Sequence, residues 1–201
     1  MTVKKAFSCS VSLRLSIFLL DLDFLARSTM ALIKPVKGVS PQFGTNCYLA
    51  ENATVVGDVV MGNDCSIWFN AVVRGDVNSI RMGNRVNIQD GAVIHCTYQR
   101  TKTTLGNDVS VGHNALVHGC TIHDNVLVGM GAIVMDDAVI HSHSIVAAGA
   151  VVLEGTVVES YSIYAGIPAK KVKTLDPEKA EKMLQKVAEN YVMYAGWFKE
   201  D

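Results

Sequence analysis

The feature that most constrains this chain is a six-residue period that runs through its middle. Aliphatic side chains recur at every sixth position, and a small or short side chain precedes most of them by two residues. A helix needs apolar residues about every 3.6 positions and a half-buried strand alternates every two, so neither fits a strict period of six. The aliphatic positions are Val55, Met61, Ile67, Val73, Met82, Ile88, Ile94, Leu105, Val111, Ile122, Val128, Val134, Ile140, Val146 and Val152.

This period predicts a solenoid in which every six residues form one short strand and one corner. The inward side chains of one coil then stack on the next coil at the inter-strand spacing of about 4.8 Å. The pattern resembles hexapeptide-repeat proteins, and that resemblance implies an all-β, left-handed parallel β-helix with three sides. With three hexads per coil, residues 53–152 predict about five coils, interrupted after Gly75 and Cys96 and shifted by one residue between Val111 and Ile122.

Two segments flank the repeat, so the chain divides into three parts. Residues 1–29 lack the pattern, and their apolar run is too short to span a bilayer and is followed by no signal cleavage site. We interpret them as a poorly packed, dispensable extension before a start at Met30. Residues 30–175 then form the β-helix domain. The sequence Asp-Pro-Glu at 176–178 is typical of a helix N-terminus, and residues 176–201 predict an amphipathic α-helix packed on the prism.

Composition excludes several classes of function. The 18 basic and 19 acidic residues nearly cancel, which removes the electrostatic ground for binding nucleic acid or an anionic membrane. Five cysteines without CxxC spacing favour a reducing, cytoplasmic compartment over a disulfide framework. Cys65 and Cys120 occupy small inward positions, so we expect both to pack in the core. The sequence contains no glycine-rich phosphate loop, so we expect no nucleotide cofactor.

All six histidines fall within one quarter of the chain. In a solenoid, residues about one coil apart in the sequence stack on adjacent coils. His95 and His113 are 18 residues apart, one nominal coil, so they are predicted to stack, with His118 across a corner. Three imidazoles suit a catalytic zinc ion, which keeps a fourth position open for water. A convex prism has difficulty bringing ligands together across a corner, which favours one ligand from an adjacent subunit. We interpret His123, His141 and His143 as solvated corner residues.

Polar residues accompany the three histidines. Arg74-Gly75-Asp76 interrupts the first run of hexads, and Gln89 and Asp90 precede His95. An arginine and two aspartates beside a metal can fix each other and the tautomers of the histidines. Arg74 and Asp76 are equally compatible with an ordinary ion pair at a subunit contact.

Four segments carry a more specific resemblance. They read VVRGDVN (72–78), NIQDGAVIH (87–95), VGHNALVHGCTI (111–122) and YAGIPAK (164–170). The chain from about Ile33 to Trp197 is similar to the γ-class carbonic anhydrase family, whose RGD, QDG and HxxxxHG elements occur here in the same order.

The resemblance implies a zinc enzyme for the reversible hydration of carbon dioxide to bicarbonate, a carbonate dehydratase of the lyase class. It implies a homotrimer in which His95 and His118 of one subunit and His113 of the next bind each zinc. Zinc supplies hydroxide near neutral pH by lowering the pKa of water. Iron(II) or cobalt suits the same ligands.

The resemblance also implies roles for five further residues. Gln89 would orient the hydroxide or stabilise the developing negative oxygen. Arg74 and Asp90 would join two subunits beside the metal, supported by Asp76, and Tyr164 is a weaker match near the site.

The sequence departs from the family where protons leave the site. Well-characterised active members carry an acidic residue directly after RGD, where this chain has Val77 and Asn78. The segment 96–103 holds no carboxylate. We therefore expect slow or buffer-dependent proton export.

Two other classes of function stay open at this point. Hexapeptide prisms also serve as acyl-CoA-dependent acyltransferases, which use one histidine as general base and no metal triad. A non-catalytic trimeric scaffold that binds metal for its structure is the other. Zinc content distinguishes the acyltransferase from the carbonic anhydrase. Carbon dioxide hydration distinguishes the non-catalytic scaffold from the carbonic anhydrase.

Overall fold

The computed structural model describes residues 30–199, so the predicted extension at residues 1–29 lies outside the described residues. The chain winds into seven coils of a parallel β-helix with a C-terminal helix on one side. Each coil places one strand on each of three faces. This confirms the predicted three-sided solenoid.

The first and second faces belong to one sheet, because β4 and β6 bend from one face into the other. The first face contains β1 (Leu32–Lys34), the first half of β4 (Thr54–Met61), the first half of β6 (Val72–Met82), β8 (Val93–His95), β11 (Leu116–His118), β14 (Ile133–Val134) and β17 (Val151–Val152). The second contains β2 (Gln42–Phe43), the second halves of β4 and β6, β9 (Thr103–Leu105), β12 (Thr121–Ile122), β15 (Val139–Ile140) and β18 (Val157–Val158).

The third face is a separate sheet. It contains β3 (Tyr48–Leu49), β5 (Ser66–Ile67), β7 (Asn87–Ile88), β10 (Ser110–Val111), β13 (Leu127–Val128), β16 (Ile145–Val146) and β19 (Ser162–Ala165), and it ends with the antiparallel strand β20 (Lys170–Thr174).

The predicted repeat positions fill the interior of the prism. Ile94, Val128 and Ile140, for example, are fully buried in one continuous core. Full burial of such a side chain contributes roughly 1.5–3 kcal/mol. Cys65 and Cys120 are each 1% exposed, which confirms their predicted burial.

Coil length varies in the middle of the solenoid. The regular coil is 18 residues long, but three successive coils have 21, 23 and 17 residues, and the first coil has 22 residues on the first face, from Leu32 to Thr54. The 21-residue coil carries a bulge after Gly75, and the 23-residue coil carries the loop 96–102. The 17-residue coil is the predicted one-residue shift between Val111 and Ile122. The sequence therefore located these three irregularities but not the longer first coil.

The solenoid is longer than the five coils predicted over residues 53–152. One coil is added at each end, where the aliphatic period is less regular. In the last coil, Tyr164 lies in register with the buried Val146, at a position that an aliphatic side chain fills in most other coils.

A ladder of Asn and Asp side-chain oxygens lines the corner between the second and third faces. The side-chain oxygens of Asn63, Asn84, Asn107 and Asp124 each accept a hydrogen bond from a backbone N–H of the preceding coil. The distances lie between 2.6 and 2.9 Å. Each bond satisfies a corner donor that the strands leave unpaired.

The chain ends in helix α1 (Pro177–Trp197). The Asp176 side chain caps it by accepting a hydrogen bond from a backbone N–H of the first turn. α1 packs against the prism, where the ring of Trp68 contacts those of Tyr191 and Phe198. Its buried residues are Ala180, Leu184, Ala188 and Ala195. Within the described part of the chain, no helix is both long and apolar enough to cross a bilayer.

Candidate metal centre

His95 and His118 face each other on adjacent coils at the end of the first face. Strands β8 and β11 pair so that His118 lies opposite His95, with His95 Nδ1 3.2 Å from His118 Nε2. The expectation that His113 stacks on His95 is wrong. The loop 96–102 lengthens this coil to 23 residues, so His118 comes into register instead.

A carboxylate lies against the other ring nitrogen of each histidine. His95 Nε2 is 3.1 Å from Asp76 Oδ1, and His118 Nδ1 is 2.6 Å from Asp136 Oδ1. An ionised carboxylate can only accept a hydrogen bond, so each places the imidazole proton on the nitrogen that it contacts. The lone pairs of His95 Nδ1 and His118 Nε2 are left facing each other.

This donor pair fits two ligands of a zinc ion. Two facing lone pairs repel each other unless a cation or a proton lies between them. In a tetrahedral site with Zn–N bonds of 2.0–2.1 Å, two ligand nitrogens are about 3.3 Å apart. The observed 3.2 Å is close to that separation.

The local charges favour neutral imidazole beside ionised carboxylate. Burial lowers the pKa of His95, and the nearby charge of Arg74 lowers it further. The hydrogen bond with Asp76 raises this pKa, but by less than the other two effects lower it. Burial alone would raise the pKa of Asp76, but hydrogen bonds from Arg74 and His95 hold it below its ordinary value. The pKa of Asp136 is likewise lowered, because hydrogen bonds from Thr97 and His118 outweigh its burial. Neutral imidazole is the form that binds metal.

Arg74 completes this side of the site. Its Nη1 lies 2.6 Å from Asp76 Oδ2, so Arg74, Asp76 and His95 form one continuous chain of polar contacts. The Arg74 side chain is 45% exposed, which leaves its other nitrogens free to contact a neighbouring molecule.

Three further predicted residues, Gln89, Asp90 and His113, lie at the opposite edge of the first face. His113 occupies the corner before β11, whereas His118 ends that strand. His113 Nδ1 is 2.7 Å from Asp90 Oδ2, and the two side chains are 39% and 42% exposed. Gln89 is buried nearby along the chain, and its Nε2 donates to Asn87 Oδ1 at 3.0 Å.

One chain thus presents two incomplete groups. We call Arg74, Asp76, His95, His118 and Asp136 the two-histidine edge, and Gln89, Asp90 and His113 the one-histidine edge. Within residues 30–199 of a single chain, no three metal-binding side chains come together.

Tyr164 lies at neither edge. It is buried in the last coil, and its hydroxyl is 3.5 Å from the Val157 carbonyl oxygen. A role for Tyr164 near the metal stays a prediction. His123 and His141 are also elsewhere, with their rings stacked 5.2 Å apart at the corner after the second face.

Sequence reasoning missed Asp136. The residue stands at an ordinary hexad corner, and nothing in its neighbourhood along the chain marks it. The signal that could have found it is its spacing of 18 residues from His118, the length of one regular coil. The threonines that hold it, Thr97 and Thr101, come from the loop 96–102.

Comparisons with known proteins give relatives of two kinds, carbonic anhydrases and an acetyltransferase. The family model for the bacterial transferase hexapeptide (six repeats) matches residues 119–154. A carbonic anhydrase of Geobacillus kaustophilus is 42% identical over 168 residues, which covers 84% of this chain and 91% of the relative. Protein YrdA of Escherichia coli is 41% identical over 170 residues, covering 81% and 91%. A solved Bacillus cereus structure, provisionally described as an acetyltransferase, is similar with a TM-score of 0.81 and 34% identity, covering 86% of this chain and 99% of that one.

Proposed function

The chain belongs to the γ-class carbonic anhydrase family of hexapeptide-repeat proteins, and from this premise we propose that it hydrates carbon dioxide reversibly at a zinc site between subunits. The observation that carries the proposal is the facing pair of His95 Nδ1 and His118 Nε2, each with a carboxylate behind its ring. The carbonic anhydrase of Geobacillus kaustophilus supports the choice of substrate.

The division of ligands between two edges supports a cyclic trimer. The two-histidine edge lacks a third ligand, and the one-histidine edge holds it at the other side of the same face. A head-to-tail contact would bring the two-histidine edge of each subunit against the one-histidine edge of the next. Three copies would then close the ring. His95 and His118 of one subunit and His113 of the next would then hold the metal.

The same contact would join two charged groups. Arg74 and Asp90 are both partly exposed at opposite edges of one chain. In the trimer, Arg74 of one subunit would approach Asp90 of the next. Asp76 would keep the Arg74 guanidinium in place from within its own chain.

Held by these imidazoles, a zinc ion would supply Lewis acidity that makes water nucleophilic near neutral pH. The protein's own residues orient the imidazoles and the nucleophile. Asp76 and Asp136 keep the imidazole protons away from the facing nitrogens. The Gln89 amide, already fixed by its bond to Asn87, would orient the nucleophile or stabilise the negative oxygen that develops in bicarbonate. Iron(II) or cobalt would suit the same nitrogens.

Zinc analysis and stopped-flow hydration of carbon dioxide test this function together. The wild-type protein is expected to bind about one zinc per chain and to catalyse hydration, since each chain contributes three imidazoles. His118→Ala should lose both while the β-helix stays folded by circular dichroism. His123→Ala is the matched control and should keep both, because His123 is exposed at the corner after the second face, whereas His118 ends the first face. A zinc-free, inactive wild type or a fully active His118→Ala variant would contradict the proposal.

Acyl transfer is the second candidate, favoured by the similarity to the Bacillus cereus structure. It requires saturable binding of acetyl-CoA, measured by calorimetry, and activity that survives removal of metal by a chelator. A zinc-loaded protein that neither binds acetyl-CoA nor hydrates carbon dioxide would instead be a trimeric scaffold.

A further inference from the structure

The loop 96–102 and the two-histidine edge share one carboxylate. Asp136 Oδ1 accepts from His118 Nδ1 at 2.6 Å and from Thr101 Oγ1 at 3.3 Å. Asp136 Oδ2 accepts from Thr97 Oγ1 at 2.6 Å. Both oxygens of one side chain are therefore engaged, one of them by a candidate metal ligand.

The loop is closed on itself at the same point. The backbone N–H of Thr97 donates to Thr101 Oγ1 at 3.0 Å, while Thr101 Oγ1 donates onward to Asp136. The Asp136 side chain is 10% exposed, so these bonds lie largely out of water. Rotation of the carboxylate away from His118 would break two loop contacts at once.

The backbone around this carboxylate is built to leave room for it. Gly119, directly after His118, has φ +57°, and a Cβ at this position would overlap the Asp136 carboxylate and the Thr101 hydroxyl. Only glycine allows the carboxylate to reach the ring from the next coil. The arrangement thus depends on three separate segments of the chain.

We propose that Asp136 is a positioning residue that presets His118 for metal, and that the loop 96–102 holds Asp136 in place through Thr97 and Thr101. The inference rests on the proposed zinc site and adds to it the coupling between metal affinity and this loop. An ionised Asp136 fixes the Nδ1–H tautomer of His118 and directs the bare Nε2 at the metal. An imidazole without that partner is free to turn or to protonate Nε2, and both remove the ligand.

Zinc affinity measured by competition with a chromophoric chelator tests the proposal on the full chain. Asp136→Ala is expected to bind zinc 10- to 100-fold more weakly than wild type, the usual effect of removing a group that orients a metal ligand. Asp136→Asn keeps the shape and removes the charge, so its affinity should fall between the two. Thr97→Val should weaken binding by a smaller factor, because the second oxygen of Asp136 loses its partner.

Asp137→Ala is the matched control. Asp137 is adjacent in sequence and 56% exposed, and its carboxylate contacts Arg100 of the same loop at 3.3 Å rather than His118. It should leave zinc affinity within about twofold of wild type. Unfolding of each metal-free variant in urea separates loss of stability from loss of affinity.

A second measurement uses only the wild-type protein, so it does not depend on whether a variant folds. Long-range ¹H–¹⁵N correlation spectra of metal-free wild type with labelled histidine report which nitrogen of His118 carries the proton. Protonation at Nδ1 is expected, and protonation at Nε2 would overturn the proposal. Unchanged zinc affinity in Asp136→Ala, with an active zinc-loaded wild type, would overturn it alone. A wild type that binds no zinc would overturn the proposed function as well.

Discussion

Single side chains in this molecule differ in how far the repeat determines their place. Val117 stands at a hexad position and is fully buried, as the period requires. His118 follows it, so strand alternation alone directs the imidazole outward. The partner that orients His118 is Asp136, one coil later, and its distance depends on the coil length. Sequence reasoning therefore singled out His118 as a candidate ligand and missed the residue behind it.

Cys120 gives a prediction of pH dependence at this scale. Burial raises the pKa of its thiol to about 12 from a reference value of 9.0. Since the folded pKa is the higher one, the unfolded chain ionises first as pH rises, and stability is lost between about pH 9 and 12. Relative to Cys120→Ala, wild type should lose about 1.4 kcal/mol of unfolding free energy between pH 8 and pH 10.

Urea unfolding of both proteins at fixed protein concentration measures this difference. Ionisations other than that of Cys120 are common to the two proteins and cancel. A difference that stays constant from pH 8 to pH 10 would show that the thiol is not held protonated by burial.

Individual elements show where the periodic pattern stops being informative. The breaks after Gly75 and Cys96 mark the bulge and the loop 96–102, and both were placed from sequence. A break in the period does not give the number of residues that leave the stack, because looped-out residues carry no inward side chain. That number decided whether His113 or His118 would lie opposite His95.

The corner after β11 allows a test of the packing around Asp136. Gly119 and Gly131 both have positive φ, but a Cβ would meet no atom within 4 Å at Gly131 and would overlap Asp136 at Gly119. Gly131→Ala should lower the unfolding free energy by about 1 kcal/mol, the cost of the left-handed backbone. Gly119→Ala should lower it by about 3 kcal/mol, since overpacking is added. Equal losses in urea unfolding would contradict the crowding at Gly119.

The whole molecule is best understood from the two edges of its first face. Each edge alone lacks part of the proposed ligand set, and a single chain keeps the two edges apart. The period predicted the prism, and the family resemblance supplied the proposed ligand set. How the two edges meet depends on contacts between chains, which no pattern within one chain encodes. The central claim is therefore that the site is shared.

Hybrid trimers test that claim most directly. A His113→Ala chain and a His118→Ala chain, carrying different affinity tags, are co-expressed and purified through both tags. Every cyclic trimer that contains both chains has one interface with His95, His118 and the partner's His113 intact, so the hybrids should bind about one-third of the wild-type zinc. Each variant purified alone should bind none. Zinc-free hybrids, or a His113→Ala protein that keeps its zinc, would contradict a metal site shared between subunits.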